Sequence, residues 1–204
     1  MRSMQLSGKL LIRQWQIIKP NSDPTFAWTE PDFIYTLVLA KLAVLKARHM
    51  NFEKENFIRT KLVSLLQKLK NDEPARWGKM NVQQMIEHFT DVMMVASGKI
   101  KLPIVTPADK LPRLREFMFS EKPFKENTKS PVLTEEPAPL KKHTKEASIG
   151  KLQEELIHFF EAFERYPGLK TINPVFGELD FDANIQLLYK HALHHLKQFG
   201  IIIN

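Results

Sequence analysis

The chain has 204 residues, of which 43% are hydrophobic and 26% are charged, and its formal net charge is +7. This composition is typical of one well-buried domain with an appendage, and it argues against a disordered chain or a membrane protein. Because the chain contains no cysteine, disulfides, zinc ribbons, thiolate catalysis and iron–sulfur clusters are excluded.

The positive charge is concentrated near the N-terminus. Residues 1–49 carry seven Lys and Arg against three Asp and Glu, whereas the rest of the chain carries 23 against 20. Since the body is nearly balanced and its charges are interspersed, we expect a solvated surface rather than a groove that follows phosphates. The composition therefore predicts no nucleic-acid partner.

Residues 1–50 are predicted to form an N-terminal extension of different character from the body. Its run FIYTLVLAKLAVL, residues 33–45, is the most apolar in the chain but, at 13 residues, is too short for a membrane span. Acidic residues ahead of this run argue against a signal peptide. Two interpretations stay open: a non-native extension, favoured because Met50 resembles a natural start, or a docking helix that could also pair two copies as a homodimer.

Residues 51–204 are predicted to form an all-α domain, and the first two helices have clear boundaries. The first helix begins with an N-cap at Asn51 and ends before Pro74. Its apolar stripe is predicted to consist of Phe57, Leu62, Leu65, Leu66 and Leu69. The second helix, NVQQMIEHFTDVMMVASG, begins with a cap at Asn81 and ends at Gly98.

The helical pattern dissolves between residues 99 and 147. Seven of the 13 prolines lie between residues 103 and 139. We expect a long crossover without regular structure of its own, and segments of this length are often functional. Four apolar side chains are candidates to anchor it: Phe117, Met118, Phe119 and Phe124.

Two further helices complete the predicted domain. One begins with a cap at Ser148 and stops at residues 167–168, and the other runs roughly from Phe181 to Phe199 after the turn NPVFGELD. No strand pattern competes with these assignments. Four amphipathic helices with short links and one long crossover indicate a four-helix bundle.

Three of the seven histidines lie close together in YKHALHHLKQFG, residues 189–200. At about 100° per residue, His191 and His195 fall on one flank of the apolar stripe, whereas His194 falls on the solvent side. His88 falls on the equivalent flank of the second helix. Histidines on two meeting flanks favour a metal site, although a chance pair of flank residues is the alternative. His49, His143 and His158 are expected to have no such role.

The segments RWGKMNVQQMIEHFTD, NPVFGELD and YKHALHHLKQFG together resemble the DinB/YfiT-like superfamily of metalloenzymes, and most of all a branch known as a domain of unknown function. The resemblance covers about residues 52–201. It implies a four-helix bundle of DinB/YfiT-like type with a divalent ion on three histidines, which by position are His88, His191 and His195. In that branch the turn before the last helix often begins His-Pro, whereas this chain has Asn173 before Pro174.

The absence of cysteine favours a cytoplasmic location, and the resemblance implies an enzyme that acts on a small molecule, either a hydrolase or an S-transferase of low-molecular-weight thiols. A three-histidine site accepts zinc, nickel, iron or manganese. No general base is evident, because Glu87 and Asp91 point outward on the helical wheel. Gln84, Asn184 and Asn173 are candidates to support the ligands or to contact the substrate. The alternative is a non-catalytic helical module that binds a metal or an apolar ligand.

Overall fold

The computed structural model describes residues 51–128, 130–132, 134 and 136–203, together with Val38, Leu39 and Leu42. The chain divides into two units, Met1–Lys46 and Ala47–Asn204. Apart from the three helical residues named above, the predictions for residues 1–50 lie outside the described residues. Within the part that is described, no helix is both long and apolar enough to cross a lipid bilayer.

The second unit is mostly helical, as predicted. The structure describes five helices in it: α1 over residues 51–68, α2 over Val82–Ala96, α3 over Leu111–Phe119, α4 over Lys145–Arg165 and α5 over Phe181–Gln198. A two-stranded antiparallel sheet joins β1, Thr171–Asn173, to β2, Gly177–Leu179. The predicted N-cap at Asn51 is wrong, because Asn51 is itself helical and its side-chain amide donates to Asp182.

The apolar faces of α1, α2, α4 and α5 share one core. Its fully buried side chains include Ile58, Leu62, Ile86, Phe89, Met93, Leu152, Phe159, Ile185 and Leu196. Burying one such side chain contributes about 1.5–3 kcal/mol, so this core supplies most of the driving force for packing the four helices. The sequence analysis omitted Ile58, although its spacing of four residues from Leu62 places both on one face of the helix; a π-helical turn covers Phe57–Lys61.

The crossover between α2 and α4 contains a helix, so the expectation that it lacks regular structure is wrong. Pro112 lies in the first turn of α3, where a proline leaves no helical hydrogen bond unmade. Met118 of α3 is fully buried in a second, smaller core with Leu187 of α5. Phe117 and Phe124 are half-buried, whereas Phe119, also a predicted anchor, is 51% exposed.

The turn before α5 is a short β-hairpin, which the sequence analysis did not predict. Its strands are three residues each, too short for alternation of apolar and polar residues to be recognised. Thr171 pairs with Leu179, and Asn173 pairs with Gly177. The Asn173 side chain shapes the turn by accepting hydrogen bonds from the backbone N–H groups of Val175 and Phe176.

Helix α4 begins one turn earlier than predicted. Thr144 is its N-cap, and its hydroxyl accepts the N–H of Ala147 at 3.1 Å. The predicted cap, Ser148, lies inside the helix and is fully buried. The buried Lys145 donates from Nζ to the carbonyl of Leu69 at 2.5 Å, so the start of α4 also satisfies a free carbonyl at the end of α1.

Glu87 of α2 holds the end of the crossover in place. Its carboxylate accepts the backbone N–H groups of Lys141 and Lys142, at 2.7 and 3.0 Å, and the hydroxyl of Ser148 at 2.8 Å. The expectation that Glu87 points outward is wrong, since the residue is only 7% exposed. Burial by itself would raise the pKa of Glu87, but these hydrogen bonds outweigh it and the pKa is lowered.

We predict that Glu87→Gln lowers the free energy of unfolding by about 2 kcal/mol at neutral pH, because hydrogen bonds to a charged acceptor are lost. The folded-state pKa of Glu87 lies below its ordinary value of 4.5. Its contribution is therefore fully present above that value and is lost as the pH falls through the folded pKa. Urea unfolding at about pH 7 and about pH 3 measures both effects.

The matched control is Glu161→Gln, at an exposed position on α4. The expected result is a small change for the control at both pH values, and a difference between parent and Glu87→Gln that shrinks in acid. An equal loss in the control, or a difference that does not depend on pH, would contradict the role assigned to the Glu87 carboxylate.

Candidate metal centre

Three histidines from two helices converge at the junction of α2 and α5. Nε2 of His88 lies 3.2 Å from Nε2 of His191, and Nε2 of His191 lies 2.8 Å from Nε2 of His195. One ring nitrogen from each residue lies within 4.8 Å of one from each of the others. The structure thus brings together the three side chains that the helical wheel placed on facing flanks.

Local structure explains why these rings meet. Helix α2 starts with a capping box, in which Asn81 accepts the N–H of Gln84 and Gln84 accepts the N–H of Asn81. At the start of α5, Asp180 accepts the N–H of Ala183 at 2.9 Å. The apolar stripes of both helices are in the core, so the residues on their adjoining flanks must lie next to each other.

The three histidines are kept neutral by their surroundings. Burial lowers the pKa of His88 to about 4 and that of His195 to about 3. Burial also lowers the pKa of His191 well below its ordinary value, and the neighbouring His195 and His88 lower it further. The neutral imidazole has the free lone pair that a metal ion requires.

The arrangement of nitrogens is compatible with a shared metal ion as well as with hydrogen bonds between the rings. A ring nitrogen carries at most one hydrogen, so Nε2 of His191 cannot donate to both of its neighbours. Two nitrogens bound at ~2.1 Å to a tetrahedral zinc ion are about 3.4 Å apart. The separation of 3.2 Å between His88 and His191 is close to that value, whereas the 2.8 Å between His191 and His195 is shorter and corresponds to a hydrogen bond. The donor set, three imidazoles, is one that zinc and other borderline metals accept.

Aromatic rings surround the three histidines. The Phe89 and Phe124 rings lie 5.6 and 6.1 Å from the His191 ring. His194 was expected on the solvent side, but it is half-buried between Trp77 and Phe124, with ring centroids at 5.5 and 6.0 Å. Burial lowers the pKa of His194 as well. It is not a member of the metal-ligand cluster.

The remaining histidines lie away from the cluster or outside the described residues. His143 is exposed and His158 is half-exposed. His49 falls outside the residues that the structure describes. The cluster itself contains histidine only, without a carboxylate from the described residues.

The amide side chains of the other predicted site residues bind structural partners. Gln84 donates to the carbonyl of Ala138 at 3.1 Å in addition to its capping bond. Asn184 is buried and donates to the hydroxyl of Thr171 at 3.0 Å and to two carbonyls at the end of the hairpin. Asn173 shapes the hairpin turn. These bonds give all three residues a role in shaping the backbone.

Gln198 supports the cluster and was missed by the sequence analysis. Its Oε1 atom lies 2.8 Å from Nδ1 of His195. The spacing of three residues from His195 on one helix was the available signal, since residues three apart lie on the same side. A glutamine in the last turn of a helix is common for other reasons, so this spacing is only a weak indication that Gln198 contacts His195.

A groove of about 260 Å³ lies beside the cluster. Phe124 and His194 line this groove, and their rings contact His191 and His195, so these two rings adjoin both the groove and the cluster. Lys54, Lys190 and Lys197 also line it, together with the apolar side chains of Leu193 and Ile201. Glu121 and Glu126 line it as well, so the groove combines an apolar wall with charged groups of both signs.

Comparison with protein families, with curated proteins and with solved structures found no match.

We predict that Asn184→Ala lowers the free energy of unfolding by about 2–3 kcal/mol, because the Thr171 hydroxyl and the Leu179 carbonyl lose a donor. Its affinity for zinc should stay within about threefold of the parent, since the Asn184 amide binds the hairpin and not a histidine. Urea unfolding and zinc titration measure the two effects, with exposed Asn71→Ala as the control. A stable Asn184→Ala variant that no longer binds zinc would restore Asn184 as a site residue.

Proposed function

We propose that this chain is a metal-dependent protein in which His88, His191 and His195 hold one divalent ion within a four-helix bundle of DinB/YfiT-like type. The convergence of three neutral imidazole nitrogens from two helices carries the proposal. Zinc, nickel, iron and manganese are all suited to these ligands. The resemblance of the sequence to the superfamily supports the same three residues.

The proposed activity is that of a hydrolase or of an S-transferase that uses a low-molecular-weight thiol. A divalent ion on three imidazoles keeps positions open and acts as a Lewis acid toward a carbonyl, water or thiol. The chain's own contribution is to keep the three rings neutral and in place, and to shield them with Phe89 and Phe124. A partly dry setting strengthens electrostatic interactions at the ion.

The groove beside Phe124 supports a small-molecule substrate. Its apolar wall would contact a short carbon chain, and its three lysines, which outnumber the lining Glu121 and Glu126, would favour a carboxylate. These lysines already have partners: Lys54 donates to Gln186, Lys190 to the carbonyl of Phe117, and Lys197 to Glu126. Lys197 is half-exposed but is paired with Glu126, so a carboxylate bound at Lys197 would compete with that ion pair.

A second candidate is a binding module without turnover, and the positions of the nearby carboxylates favour it. Glu87 is occupied by Lys141, Lys142 and Ser148, and both oxygens of Asp91 lie 2.6 Å from Nζ of Lys141. The two acidic residues next to His88 are thus engaged by the crossover. Neither is free to act as a general base without breaking these contacts.

We expect the purified chain to carry one divalent ion, and His88→Ala and His191→Ala to carry none while keeping the helicity of the parent. Saturating zinc should raise the unfolding temperature of the parent and of His158→Ala but not of these two variants, since a ligand at 100 times its dissociation constant adds about 2.7 kcal/mol of stability. Elemental analysis, circular dichroism and thermal unfolding measure these effects. His158→Ala, which changes a histidine on α4, is the matched control. A parent that stays metal-free after incubation with zinc and nickel would sink the proposal.

The enzyme and the binding module differ in turnover by the metal-loaded chain. We expect the loaded parent to turn over at least one member of a panel of esters and thiol acceptors, and His191→Ala to lose that activity. Rates measured across pH with equal metal loading give the comparison. A fully loaded parent that is inactive on the whole panel would favour the binding module instead.

A further inference from the structure

We infer that Gln198 is a positioning residue for His195. Trp77 and Gly78 hold the Gln198 amide, which fixes His195 in the tautomer that carries its hydrogen on Nδ1. In that tautomer the lone pair of His195 Nε2 faces His88 and His191. The tautomer is a property of the metal-free chain. Only its effect on metal affinity rests on the proposed function.

The orientation of the Gln198 amide follows from its backbone partner. Its Nε2 atom lies 2.8 Å from the carbonyl oxygen of Trp77. A carbonyl oxygen can only accept a hydrogen bond, so the amide nitrogen must be the atom that faces it. The opposite orientation would place two acceptors against each other. The amide oxygen, Oε1, therefore faces His195.

The tautomer of His195 follows from that orientation. Oε1 of Gln198 lies 2.8 Å from Nδ1 of His195 and can only accept, so Nδ1 must carry the hydrogen. A neutral imidazole has one N–H, which leaves Nε2 without a hydrogen. Both residues are buried, with 5% of Gln198 and 6% of His195 exposed, so water cannot readily replace either partner.

The loop before α2 holds the Trp77 carbonyl against Gln198. The N–H of Arg76 donates to the backbone carbonyl of Gln198 at 2.8 Å, which joins the loop to the end of α5. Gly78 has a φ of 77°, in the left-handed region that favours glycine. A Cβ atom at Gly78 would lie 2.9 Å from Nε2 of Gln198. Glycine is therefore favoured by the backbone conformation, and a methyl group at this position would displace the Gln198 amide.

These contacts leave the lone pair of His195 Nε2 available for an ion. If the His195 hydrogen moved to Nε2, an N–H group would point at His191 and the nitrogen could not bind a metal. A ligand histidine commonly donates its other N–H to a fixed acceptor for this reason, and loss of the acceptor typically weakens metal binding by about 10–100-fold. Gln198 is the acceptor that His195 has in this structure.

The experiment is a two-dimensional NMR spectrum of the metal-free chain with ¹⁵N-labelled histidine, recorded above the pKa values of the site histidines. The parent should show His195 with a protonated Nδ1 and an unprotonated Nε2. In Gln198→Leu we expect the hydrogen to redistribute toward Nε2, and zinc affinity to fall by about 10–100-fold.

Gln186→Leu is the matched control. Gln186 is also a buried glutamine of α5, it also donates to a backbone carbonyl, that of Met118 at 2.8 Å, and it also accepts from one side chain. Its amide holds α3 and not a histidine. We expect the control to lose stability to a similar degree and to keep the His195 tautomer of the parent.

If Gln198→Leu does not fold, Gly78→Ala tests the same contacts from Trp77 through Gln198 to His195, because the added methyl group displaces the Gln198 amide without removing it. A parent with the hydrogen on Nε2, or a folded Gln198→Leu or Gly78→Ala variant with an unchanged tautomer, would overturn the inference. A parent that shows the expected His195 tautomer but binds no metal would overturn the proposed function and leave the role of Gln198 intact. A parent that binds a metal but carries the His195 hydrogen on Nε2 would overturn the role of Gln198 and leave the proposed function intact.

Discussion

The contact between the flanks of α2 and α5 is the constraint on which the rest of the molecule depends. Both helices bury their apolar stripes in one core, so the residues beside those stripes have no freedom to move apart. His88, His191 and His195 occupy these positions, and their burial keeps them neutral. Packing of apolar side chains thus determines both the location of the polar cluster and its charge.

Polar side chains of α2 other than His88 form hydrogen bonds with the crossover. Glu87 and Asp91 bind Lys141, and Gln84 binds the carbonyl of Ala138. One helix therefore faces the histidine cluster with His88 and holds the crossover with its neighbours. This division matters for function, because side chains that hold the crossover cannot also transfer protons at the cluster.

The loop before α2 and the end of α5 interlock around Gln198. Arg76 donates from its backbone to Gln198 and from its side chain to the carbonyl of Gly200, at 2.8 and 3.4 Å. The Trp77 carbonyl orients the Gln198 amide, and the Trp77 ring packs on His194. The segment RWG, which has no helical pattern of its own, is thus part of the support for His195.

The sequence by itself determined that the body is helical and favoured a meeting of three histidines, because helical periodicity assigns apolar stripes and their flanks whatever the partner is. It also placed Glu87 and His194 toward solvent, whereas Glu87 is buried and His194 is half-buried. It identified His88, His191 and His195 from their angular positions alone. It did not reveal α3, the hairpin or the start of α4 at Thr144, because short elements and adjacent capping residues give several equally good patterns. Only the tertiary structure decided the roles of Glu87, Gln84, Asn184 and Gln198. Each of these polar side chains binds atoms distant in sequence or set by a local turn, and such partners exist only once the helices have packed.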